Sequence, residues 1–182
     1  MFIRVLVSIM ITILSAPILK SQTPQVKPTV SSASEVIRTV EAIAGVWKGQ
    51  MNANVPGSPP GSIDWTMDCK RVALNSGALC TNGGTAPFGE LAESCLLAFD
   101  PESKAVHYMC VTSMGEVHDH KGRWTDTKTI EFEPLQAGMM GKQVIETLKW
   151  HFNEDGTLHK TSEVRLPDGS MMQFDFKGKR VS

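Results

Sequence analysis

From Trp47 onward the chain alternates. Ile63, Trp65, Met67 and Cys69 fall on one side of an extended segment while Ser62, Asp64, Thr66, Asp68 and Lys70 fall on the other, the period of two of a strand with one buried face. Trp47, Gly49, Met51 and Ala53 alternate with polar neighbours in the same way. A short strand around Leu79 and Cys80 is followed by extended stretches at residues 91–99, 105–112, 116–120, 124–132, 144–152, 158–166 and 172–176. The turns between them, such as Met114-Gly115 and Pro167-Asp168-Gly169-Ser170, are too short for a parallel crossover. Successive strands are therefore antiparallel neighbours.

A meander of this length hides its edges by closing on itself. The expected fold is all-β: an antiparallel up-and-down barrel of about 8–10 strands with one short N-terminal helix. Trp65, Met67, Leu148, Trp150, Phe152, Phe174 and Phe176 are expected to face inward. Residues 134–142, rich in Gly and Met, read as an irregular flap over the barrel mouth.

Ahead of the first strand, Val36, Ile37, Val40 and Ile43 recur at helical spacing, with Ser32 and Glu35 placed as a capping box and Gly45 as a C-terminal cap. Gly45 lets the backbone turn sharply into Val46-Trp47-Lys48-Gly49, and Gly49 admits another strand at close range. The apolar stripe with Trp47 is suited to plugging one end of the barrel.

The first residues bear on compartment. Arg4 precedes an uncharged, mostly apolar run at residues 5–19, the pattern of a secretory signal peptide with cleavage near Ser21. Residues 22–31, rich in Pro, Thr, Ser and Gln, read as a disordered tether. The expected organisation is signal peptide 1–21, tether 22–31 and barrel domain 32–182, exported to the periplasm or secreted, with no stable membrane span once the signal is cleaved. A net charge of −1 without a Lys/Arg cluster beyond Lys177, Lys179 and Arg180 argues against a nucleic-acid partner.

In an oxidising compartment, Cys69, Cys80, Cys95 and Cys110 form an even set without CxxC spacing. Cys69 and Cys80 flank the turn at Asn75-Ser76-Gly77, and Cys95 and Cys110 flank Asp100 to Lys104, which favours two local disulfides over buried free thiols on the barrel wall.

The helix running into Gly45-Val46-Trp47-Lys48-Gly49 and then a meander resembles the lipocalin-like, or calycin, barrels, whose first strand carries a Gly-x-Trp motif. More narrowly, that start, the loop Pro56-Gly57-Ser58-Pro59-Pro60-Gly61, the Gly89-Glu90 hairpin, the Ser113-Met114-Gly115 turn and the closing Leu166-Pro167-Asp168-Gly169-Ser170 with Lys179-Arg180 resemble the bacterial domain-of-unknown-function family DUF1579. The resemblance covers roughly residues 32–180. It implies fold and little chemistry.

Catalytic templates are lacking: there is no Gly-x-Ser-x-Gly elbow, phosphate-cradling loop or dinucleotide fingerprint. Glu116, His118 and His120 alternate along one strand and are weak candidates for a divalent metal, set against an ordinary solvated face. His107 shares a face with Ala105, Met109 and Val111; pointed inward, it is a buried polar group for a ligand or a haem iron. His151 and His159 read as exposed. The leading functional expectation is a non-enzymatic binding protein holding a small apolar or amphipathic molecule in the barrel, with Trp65, Met67, His107, Trp150 and Phe152 at the ligand and no cofactor indicated. The alternatives are a cell-envelope interaction module with a filled barrel, or a metal-dependent enzyme using Glu116, His118 and His120.

Overall fold

The computed structural model describes residues 30–86, 89–100, 102–139 and 141–182, with side chains from Ser34 onward. The expected signal peptide and most of the tether lie outside the described residues. Helix α1 (Val30–Ile43) is followed by strands β1 (Gly45–Asn54), β2 (Gly61–Val72), β3 (Gly77–Ala86), β4 (Gly89–Asp100), β5 (Ala105–Thr112), β6 (Val117–Trp124), β7 (Thr129–Met139), β8 (Lys142–Gln143), β9 (Ile145–Phe152), β10 (Thr157–Arg165) and β11 (Met171–Arg180). Each long strand pairs antiparallel with the next, and β1 pairs with β11, so ten strands close into a barrel; the two-residue β8 pairs only with the end of β7. The period of two predicted this architecture. The helix starts at Val30, two residues before the boundary expected at Ser32.

The helix closes one end. Val36, Val40 and Ile43 are buried with Trp47, whose indole Nε1 donates to the Ile43 carbonyl at 2.8 Å. Trp124, from the end of β6, donates its Nε1 to Thr39 Oγ1 at 2.8 Å and stacks on Phe152. Arg38 lies over the Trp124 ring and Arg180 over the Trp47 ring. The glycines flanking Trp47 act as expected: Gly45 has a φ of +121°, and a Cβ at Gly49 would sit 1.9 Å from the Lys177 carbonyl oxygen. Any side chain there would force β1 away from β11.

Beside the plug, Cys69, Cys80, Cys95 and Cys110 stand directly opposite one another across β2, β3, β4 and β5, all buried. The bonds are Cys69–Cys80 and Cys95–Cys110, the two local pairs favoured by the turns, and no free cysteine remains among the described residues. Such pairs fit an oxidising environment. No helix among the described residues is long and apolar enough to cross a membrane.

One expectation fails. The described part of this stretch, residues 134–142, does not form an irregular flap, because β7 continues through Pro134 as far as Met139. The proline is tolerated because the β6–β7 register shifts there, leaving Leu135 out of the pairing. The shift also changes parity, so Ile130 and Phe132 face inward before it and Ala137 and Met139 after it. Ala137 and Met139 join Val144, Val164 and Met172 in a second apolar cluster at the end opposite the helix.

Candidate functional site

Between the two apolar clusters the inner wall turns polar. His118 and His120 on β6, Glu146 on β9, Lys160 and Ser162 on β10, Asn82 on β3 and Glu93 on β4 occupy inward positions of their strands. Glu146 is the hub. Its Oε2 lies 2.6 Å from His118 Nδ1 and 3.3 Å from His120 Nε2, and its Oε1 accepts the Ser162 hydroxyl at 2.6 Å. Across the barrel, Asn82 Nδ2 donates to Glu93 at 3.1 Å and the Tyr108 hydroxyl reaches Cys95 Sγ at 3.1 Å.

The electrostatics follow from these contacts. Burial penalises the Glu146 carboxylate, but hydrogen bonds from His118 and His120 outweigh it and hold the group well below the usual carboxylate range. Burial likewise opposes a charged His118, yet the hydrogen bond to Glu146, with the fields of Glu146, Glu93 and Glu116, raises its pKa. Lys160 is lowered by burial against the pull of Glu93 and Glu146, and burial with the Glu93 field pushes the Tyr108 phenol up.

Several polar atoms in this band are buried without a hydrogen-bond partner: Asn82 Oδ1, His118 Nε2, His120 Nδ1 and Trp150 Nε1. A folded chain leaves few such atoms. Meanwhile Met51, Leu91, Glu93, Leu148, Lys160, Ser162 and Phe174 occupy inward positions yet keep accessible surface. The band is where the barrel wall offers unused hydrogen-bonding capacity beside apolar surface.

The same barrel occurs elsewhere. The chain superposes on Rv2717c from M. tuberculosis with a TM-score of 0.61 at 15% identity, covering 81% of this chain and 98% of that one. It matches the S-type phycobiliprotein lyase CPES from Guillardia theta with a TM-score of 0.53 at 10% identity, over 79% and 91%. A third match is a DUF3598 protein of unknown function from Nostoc punctiforme PCC 73102, with a TM-score of 0.50 at 11% identity, over 78% of this chain and 48% of that one. The fold is that of a lipocalin-like barrel. No family model matches the chain, and no curated protein matches it.

Within the lipocalin-like barrel the expected ligand residues separate. Trp65, Met67 and Trp150 are buried on the inner wall. Trp150 packs on Tyr108 at 4.9 Å and Phe132 at 4.7 Å, directly below the polar band. Phe152 belongs to the helix-plugged end, between Trp47 and Trp124. His107 lies on the outer wall, its Nε2 2.5 Å from Asp119 Oδ1. Strand parity requires this: Tyr108 and Cys110 of β5 face inward, so His107 faces out with Met109 and Val111.

His118 and His120 do point inward together, but the carboxylate that joins them is Glu146. Glu116 stands at the barrel rim, accepting from the Gly141 amide at 3.0 Å. Among the described residues the donors converging within 4.8 Å are instead Glu93, Cys95 and Cys110, and both sulfurs are engaged in the disulfide. His151, bonded to Thr129, and His159, bonded to Asp175, are half-buried on the outer wall. Two shallow depressions, one around Lys48, His159 and Lys179 and one around Gln50, Asp64 and Thr66, lie outside the barrel and away from the band.

Glu146, Lys160, Ser162, Glu93 and Asn82 were absent from the sequence-based site. The signal for three of them was parity: once Leu148 and Trp150 face inward, so does Glu146, and once Leu158 and Val164 do, so do Lys160 and Ser162.

Proposed function

We propose that this protein is an exported carrier or sensor that binds one small amphipathic molecule inside the barrel. Its polar end meets His118, His120 and Asn82, its apolar part lies along Trp65, Met67 and Leu148, and access is from the end opposite α1. The observation that carries this reading is the set of buried, unpartnered polar atoms in the band. Leaving a buried donor or acceptor unsatisfied costs about 1–3 kcal/mol, a cost that a bound ligand offsets. The likeness to a phycobiliprotein lyase supports the reading at the level of fold alone. Export rests on the N-terminal pattern together with the two disulfides, and membership of DUF1579 on the ordered sequence motifs.

Native mass spectrometry of protein purified from its own host tests the proposal. A small molecule released on denaturation supports it. Bare protein, with no thermal shift on addition of fatty acids, retinoids or haem, removes it.

A second reading, an interaction module, is favoured by the outer wall of β3 to β6. Leu79, Leu96 and Met109 stand side by side across three strands, with Val111 and Val117 beside them, all exposed. A contiguous apolar patch of this kind marks a contact surface. If light scattering finds a stable oligomer that Leu96→Lys with Met109→Lys dissolves, this reading gains; a monomer unaffected by both changes discards it.

A further inference from the structure

Lys160 is the one cation of the polar band that sequence gave no reason to place inside a barrel. It pairs in register with Trp150 on one side and Phe176 on the other, both buried. Its Nζ lies 5.0 Å from the Trp150 ring centroid, 5.9 Å from that of Tyr108 and 3.8 Å from Met67 Sδ across the barrel. Among the described residues it forms no ion pair within 4.0 Å. Lysines ordinarily snorkel to bring the ammonium to water. Here the ammonium stays among two aromatic rings and a thioether, while the residue as a whole is half-buried. Burial favours the neutral, nucleophilic amine.

We propose that Lys160 is a covalent anchor for an apolar aldehyde held in the barrel, its ε-amine condensing with the carbonyl to an imine. The inference rests on the binding reading above and names the reactive end of the ligand. The amine lone pair forms the C–N bond and the carbonyl π pair moves to oxygen. Two protons pass from nitrogen to that oxygen, which leaves as water while the C=N bond forms, and the neutral imine nitrogen then takes one proton from solvent to become cationic. No oxidant or reductant is consumed. Ser162, the next inward residue of β10, has its hydroxyl on Glu146. Glu93 and Glu146, the carboxylates whose fields reach Lys160, stabilise the protonated imine. They also decide the ligand class: a carboxylate head group would add a third negative charge beside them, whereas an aldehyde enters neutral and becomes cationic only after reaction.

The test uses the full chain with decanal and borohydride, compared with decanol, which fits the same space without condensing. The expected result is a single reduced adduct mapped by peptide mass to Lys160 at limiting aldehyde. Lys160→Met loses that adduct while Lys70→Met keeps it, and decanol raises the melting temperature of the wild-type protein. If only exposed lysines such as Lys70 and Lys177 are labelled while decanol stabilises the protein, the anchor is refuted and the binding reading survives. If neither decanal nor decanol registers, both fall.

Discussion

Trp47 and Trp124 at the plugged end, and Trp150 in the middle of the barrel, are the same residue used in two ways. The first two each direct the indole N–H to a partner at 2.8 Å, the Ile43 carbonyl and the Thr39 hydroxyl. Trp150 is fully buried and its N–H meets nothing. The same contrast holds around them. At the base, the apolar stripe of α1, the stacked rings and the flanking arginines form a closed, satisfied core. In the middle, two histidines, a lysine and an asparagine are held among aromatic rings with hydrogen-bonding capacity unused. The base is built for stability; the middle gives some up, which is the usual mark of a site.

The largest test of that contrast is at the base. Trp47→Ala removes the ring that joins helix and barrel and is expected to cost about 3–5 kcal/mol in urea unfolding. A cost below about 1 kcal/mol would show that the plug does not hold the fold. Next come the disulfides, which close loops of 11 and 15 residues. Reducing each is expected to lose roughly 3 kcal/mol by loop entropy, read from melting curves with and without a thiol reductant. All four sulfurs are buried, so reduction of the native protein should be slow and limited by unfolding.

In the middle, Glu146→Gln removes the charge that organises the histidines and is expected to cost about 2 kcal/mol, as for a lost hydrogen bond to a charged group. Its pH signature is more telling than its size. His118 has a raised folded pKa, so its contribution is complete below the unfolded value of about 6.5 and is lost as pH rises through the folded value. Glu146 is depressed, so its contribution is complete above about 4.3 and is lost as pH falls through the folded value. Wild type should therefore lose more stability than the variant as pH rises from about 6.5. Equal losses would mean that the pair is not ionised as the contacts imply.

The two regions also differ in how far sequence reveals them. The base was legible because its signals are local: a 3.6-residue stripe, a glycine turn and a tryptophan at the first strand. The barrel was legible through alternation and short turns. The polar band was not, because charged residues in a strand ordinarily mark its solvent face, and Glu146 and Lys160 invert that rule. Parity would have exposed it. It would also have turned His107 outward, since His107 and Cys110 have opposite parity and an inward Cys95–Cys110 bond fixes the face of β5. What alternation alone could not supply was the shifted register at Pro134, where a longer strand replaces the expected flap.

The finest test compares two conservative changes. Trp47→Phe and Trp150→Phe each remove the same pyrrole ring from a buried position, so their cavity costs are similar and largely cancel. Only Trp47→Phe also breaks a hydrogen bond, leaving the Ile43 carbonyl without its donor. Trp150→Phe should therefore be the milder change by about 1 kcal/mol in the ligand-free protein. If a ligand accepts the Trp150 N–H, saturating the protein should erase that advantage, because the variant then forfeits a bond the wild type makes. A difference that stays the same with and without ligand would place the bound molecule away from Trp150.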